Sequence, residues 1–124
     1  MHRAHVLLVA LLVACGRHSP APAPSPVSAP TAIPSLDGLD PVTQRSIQLA
    51  CISQFDQGPA AYGRCLNRQL DALRRSPGIP SLDGLDPVTQ RSIQLACISQ
   101  FDQGPVAYGE CLRAQLRSIG IQPS

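Results

Sequence analysis

Four cysteines carry the chemistry this sequence can do: Cys51, Cys65, Cys97 and Cys111. A thiol pair can hold a metal, pass electrons or close a structural disulfide. Zinc sites bring closely spaced cysteines together or add histidine, and thiol oxidoreductases use Cys-x-x-Cys. Here 13 residues separate Cys51 from Cys65 and Cys97 from Cys111, and the only histidine beyond residue 14 is His18. The sequence has a fifth cysteine, Cys15, close to the N-terminus; with it set aside, the even number that remains reads as a disulfide framework in a small chain that leaves the cytoplasm. Four cysteines permit three pairings, so the elements that carry them must choose.

Those elements form a tandem repeat with a period of 46 residues. Residues 33–70 and 79–116 differ at only four of 38 positions, 60, 64, 67 and 68 against 106, 110, 113 and 114. Each unit reads as two helices. Asp40-Pro41 is a cap followed by a favoured first helical residue, and Asp86-Pro87 repeats it. The first helix is expected from about Pro41 to Phe55, the second from Pro59 to about Leu73, with Gly58-Pro59 turning the chain between them. Cys51 and Cys65 stand seven residues either side of Gly58, and Cys97 and Cys111 flank Gly104 in the same way. Residues equidistant from the turn of an antiparallel hairpin lie at one height. With small residues such as Ala50 and Ala61 nearby, facing helices can bring such Cα atoms within the ~7 Å a disulfide needs. The expected bonds are therefore Cys51–Cys65 and Cys97–Cys111.

Packing follows from periodicity. Tyr62, Cys65, Leu66, Leu70 and Leu73 make one stripe on the second helix. Val42, Ile47, Leu49, Ala50, Ile52 and Phe55 spread over a wide arc of the first. That helix should therefore meet more than one neighbour, and docking of helix one on helix one between units would supply it. The four differing positions share one arc opposite the Tyr62–Leu66–Leu70 stripe, where solvent is expected. Leu36 and Leu39 should fold onto the hairpin from a turn at Asp37-Gly38. The Asp37–Asp40 stretch lacks the ligands and distal Glu of a calcium loop.

The N-terminus says where the chain goes. Arg3, an apolar run from Val6 to Val13 and small residues after it have the layout of an export signal. Leu12-Val13-Ala14-Cys15 resembles the bacterial lipobox. That resemblance implies removal of residues 1–14 and acylation of Cys15. Several buried acyl chains, at ~0.8 kcal/mol per CH₂, hold a protein to a bilayer durably. Gly16 stands where an inner-membrane retention signal has aspartate, which implies the outer membrane of a Gram-negative cell. Residues 16–35 are rich in Pro, Ala and Ser, with prolines at 20, 22, 24, 26, 30 and 34. Extended at ~3.1 Å per residue, such a stalk spans at most ~60 Å. The stretch Gln-Gly-Pro followed by Ala-Tyr-Gly-x-Cys-Leu-x-x-Gln-Leu resembles short cysteine-containing hairpin repeats of bacterial envelope proteins and implies no particular activity.

The expected fold is all-α: two tandem disulfide-stapled α-hairpins after a disordered Pro/Ala-rich linker. Its organisation is signal peptide 1–14, lipidated Cys and linker 15–35, hairpin 36–75, linker 76–81, hairpin 82–120 and tail 121–124. All ten basic residues are arginine, nine of them beyond residue 14 against seven aspartates and one glutamate. No arginine cluster is longer than Arg74-Arg75 and aromatics number four, so the sequence lacks the basic patch and stacking platforms of nucleic-acid binders. Nothing in it pairs a nucleophile with a base or cradles a phosphate. The reading is therefore a non-enzymatic chain without cofactor or metal. Its partners are the membrane, through the anchor, and a protein of the envelope. The residues expected to touch that protein are Asp56, Gln57, Asp102 and Gln103 at the hairpin tips, though turn chemistry, with Asp56 bonding nearby amides, explains them as well. Arg45, Gln44 and Gln48 form a polar strip that reads as a solvated face. A structural spacer, and an inhibitor inserting a tip into an envelope enzyme, are the other roles consistent with this layout.

Overall fold

The computed structural model describes residues 33–123. They fold as helices α1 (Pro41–Phe55), α2 (Pro59–Arg74), α3 (Pro87–Ala96), α4 (Ile98–Phe101) and α5 (Pro105–Ser118). The first hairpin is α1–α2, and the second is α3–α4–α5. Each opens with the same device. Asp40 Oδ1 accepts from the N–H groups of Val42 and Thr43 at 3.0 Å, and Asp86 Oδ1 accepts from Val88 at 3.1 Å and Thr89 at 3.0 Å. These bonds satisfy helix donors that have no acceptor within the helix. The loop before each helix is fastened from the helix itself: Gln44 Nε2 donates to Leu39 O at 2.8 Å and Gln90 Nε2 to Leu85 O at 2.9 Å. Gln44 is thus a structural strut rather than part of a solvated polar strip. The turns between helices pass through Gly58 at φ +101° and Gly104 at φ +112°, backbone that side chains with a Cβ rarely adopt.

Each hairpin has its own core. Ile47, Cys51, Cys65 and Leu66 are buried in the first, with Leu36, Leu39, Tyr62, Leu70 and Leu73 packed around them. Ile93, Cys97, Tyr108, Leu112 and Leu116 are buried in the second, with Ile79, Leu82, Leu85 and Phe101 against them. Disulfides Cys51–Cys65 and Cys97–Cys111 cross these cores, each with Cα atoms 5.7 Å apart. Edge-to-face aromatic pairs close the tip end: Phe55–Tyr62 at 5.2 Å and Phe101–Tyr108 at 5.0 Å between ring centres.

The two units depart from repeat symmetry in three places. Residues 41–55 form one continuous helix, whereas the identical residues 87–101 break at Cys97 into α3 and α4. Identical sequence cannot break itself, so the cause is tertiary. The units also do not dock helix one on helix one. Instead α4 and α5 pack against α1, and α5 also meets α2, while the body of α3 stays off α1. Finally, the four differing positions are not all in solvent. Val106 and Arg113 are partly buried, and the Arg113 guanidinium donates to Gly78 O in the linker. Gly109 lets that linker approach, since a Cβ there would stand 2.5 Å from Gly78 O.

Closing a loop of about 15 residues contributes about 3 kcal/mol in the chain-entropy model. The double substitution Cys51→Ala/Cys65→Ala should therefore cost about 3 kcal/mol in urea denaturation followed by circular dichroism. A loss well below 1 kcal/mol would show that the helices need no staple. The caps give a second expectation. Partial burial raises the Asp40 pKa, but the bonds from Thr43 and Val42 outweigh it and hold the carboxyl below its ordinary 3.8. At Asp86 the Thr89 side chain leads in the same direction, ahead of the backbone bonds. The folded pKa lies below the unfolded one, so this stability is whole above about 3.8 and lost as pH falls through the folded pKa. The urea midpoint should drop over that range. Asp40→Asn with Asp86→Asn, which keeps a capping oxygen, should flatten the drop.

Candidate functional site

The second hairpin's tip sits in a seat on the first. Ser46 on α1 is fully buried, and its hydroxyl donates to the carbonyl of Phe101, the last residue of α4, at 2.7 Å. Thr43, one turn earlier on the same face, is 4% exposed. Gly104 and Pro105 are buried at the tip. The Gln69 amide of α2 lies so close that a Cβ on Gly104 would collide with it. Leu49 and Ala50, partly buried, lie further along α1. The seat is therefore small, mixed in polarity and satisfied: the hydroxyl that burial would orphan has its acceptor.

The same residues in the opposite units have no such cover. Ser92, the counterpart of Ser46, is exposed, as are Leu95 at 57% and Val88 at 78%. Pro87, Val88, Arg91, Ser92 and Leu95 line a shallow depression there. At the first hairpin's tip Phe55 is 60% exposed and Pro59 is exposed, and Ile33, Phe55, Pro59 and Tyr62 surround a small hollow. Among the described residues the two tips, equivalent in sequence, are thus one docked and one open.

The tip residues singled out by sequence divide in their work. Asp56, Gln57, Asp102 and Gln103 are all exposed. Gln57 Nε2 donates to Ser53 O at 3.3 Å and Gln103 Nε2 to Ser99 O at 3.1 Å, so the glutamines brace the turn rather than the aspartates. Asp56 and Asp102 leave a carboxylate at each tip. An open cleft of ≈ 470 Å³ runs between the units, lined by Asp40, Val42, Leu82, Gln90 and Tyr108 among others. Burial pushes the Tyr108 phenol above its ordinary 10.0, so it stays neutral. Among the described residues no three His, Cys, Asp or Glu side chains converge as metal ligands would. Cys15 lies outside the described residues. Ser46 and Gln69, which build the seat, were not legible beforehand, because Ser92 and Gln115 stand in the same local sequence without that role.

No family model, no curated protein and no solved structure matches this chain.

A single comparison tests the seat. Ser46→Ala removes the bond to Phe101 O and should cost about 1 kcal/mol. Ser92→Ala, in the same sequence context but exposed, should leave the denaturation midpoint unchanged. Equal effects at both positions would mean the tip is not docked.

Proposed function

We propose that the protein is a bacterial envelope lipoprotein, held to the membrane through acylated Cys15, that presents its two hairpins as a non-catalytic interaction module. The observation that supports this reading most is the uncovered apolar surface of helix one in each unit. Val88 and Leu95, seven residues apart and so on one helix face, are 78% and 57% exposed, and Ile98 is 58% exposed beside them. On the first unit Ile52 and Phe55 are exposed at 58% and 60%. Apolar patches of this kind on a small domain mark contact surfaces. Export supports the same reading, because disulfides such as Cys51–Cys65 persist in oxidising compartments. Among the described residues no helix is long and apolar enough to cross a membrane, so the acyl chains carry the attachment in this reading. The Pro-rich stalk, reaching up to ~60 Å, sets how far from the bilayer the hairpins work.

Expressed in a Gram-negative cell, the protein should fractionate with the outer membrane and yield an N-terminal peptide beginning at acylated Cys15. Cys15→Ser should shift it to the soluble fraction or leave it unprocessed. A membrane-bound Cys15→Ser chain, or native material with an unmodified Cys15, would defeat the lipoprotein reading.

A further inference from the structure

The contact between the hairpins uses a tip and a seat, and each unit carries both. Inside the chain only one tip and one seat meet. The tip of the second hairpin (Phe101 to Pro105) occupies the seat on the first (Thr43, Ser46, Gln69). Among the described residues nothing covers the tip of the first hairpin or the seat of the second. We propose that a second copy of this chain fills each, so that copies join head to tail, the first-hairpin tip of one resting on α3 of the next.

The open tip and seat repeat the joined ones residue for residue. Residues 55–59 repeat 101–105 without change, and Thr89, Ser92, Leu95, Ala96 and Gln115 repeat Thr43, Ser46, Leu49, Ala50 and Gln69. Whatever holds the internal junction is therefore available for an external one, including a Ser92 hydroxyl aimed at Phe55 O. The one difference at the tip helix's start is Ala60 for Val106, a smaller residue that adds no clash. Stacked-repeat proteins end in caps with a polar outer face. Here the end faces are copies of the interior faces, with Phe55, Val88 and Leu95 exposed on them. A tip-to-seat contact is heterologous: it leaves one tip and one seat free at every stage, so it builds rings or open rows rather than a closed pair. Between chains it lacks the covalent tether, and anchoring to a shared surface would restore effective concentration. The inference names a partner for the interaction module proposed above and rests on that reading only for its envelope setting.

The test is photo-crosslinking of the full chain in the cells that process it, with a benzophenone amino acid at Val88. Two differently tagged copies are co-expressed, so a link between molecules is told from one within. The expected result is a ladder of dimers and larger multiples, with mass spectrometry placing the adduct on residues 55–60 of a differently tagged copy. Two substitutions at exposed positions then separate the halves of the junction. Leu95→Asp disables the seat and Pro59→Glu disables the tip, and each alone should abolish the ladder while its circular dichroism melt matches the parent. Mixed together they retain one compatible junction, so dimers should return and nothing larger. Dimers and multiples persisting in either single variant would overturn the proposal. So would no link between copies, or an adduct within the same chain, including residues 16–32. An adduct only on a different protein would also overturn self-assembly while leaving the interaction-module reading intact. The ladder from the otherwise unsubstituted chain needs no variant that could misfold.

Discussion

Each hairpin depends on one sulfur–sulfur bond between its helices. A unit of 38 residues buries only a handful of side chains, Ile47, Leu66 and their neighbours in the first and Ile93, Leu112 and Leu116 in the second. Cores of that size rarely supply more than a few kcal/mol. The disulfide contributes on the same scale. Because it joins residues equidistant from the glycine turn, it also sets the two helices at a fixed height. The tip beyond it is then a rigid object. A rigid tip loses little freedom when it docks, which is why so small a seat as Thr43, Ser46 and Gln69 can hold it.

Much of this was legible in the sequence, and the reasons are local. Asp-Pro at each helix start, Gly-Pro at each turn and the symmetric cysteines act within a few residues, so their outcome does not depend on the rest of the chain. Asp40, Asp86, Gly58, Gly104 and both disulfides fall where that chemistry places them. The failures share the opposite property. Ser46 and Ser92 have identical neighbours, yet one is buried and bonded and the other exposed. Cys51 lies mid-helix and Cys97 at a break, again within the same fifteen residues. Periodicity carries no information about which of two equal surfaces a chain will use. Gln44 was misjudged for a simpler reason: a side chain on a polar face can still reach back to a loop carbonyl, here Leu39 O.

The differing positions show how two nearly equal units acquire unequal roles. All four sites, Ala60, Arg64, Asn67 and Arg68, are exposed on the first hairpin. On the second, Arg113 reaches the linker carbonyl at Gly78, and the absence of a side chain at Gly109 lets the linker lie close. The linker is thereby fastened to α5. One substitution at an otherwise drifting site thus gives the second unit a linker contact in place of the exposed Asn67 of the first.

The consequence for function is a matter of counting surfaces. Two equal units offer two tips and two seats, and among the described residues one of each meets. With the second tip seated on α1, neither α1 nor α2 touches α3, so the tip and the seat left over do not meet. A protein of this kind could blunt the remainder by placing charge at the exposed seat, the usual remedy for unpaired surfaces. This chain does not: Leu95 keeps the apolar residue that Leu49 supplies on α1, and Val88 is exposed on the same helix. Arg91 borders the open seat, but Arg45 stands at the same place beside the filled one and does not prevent docking. The open surfaces therefore retain the composition of the surface that docks within the chain.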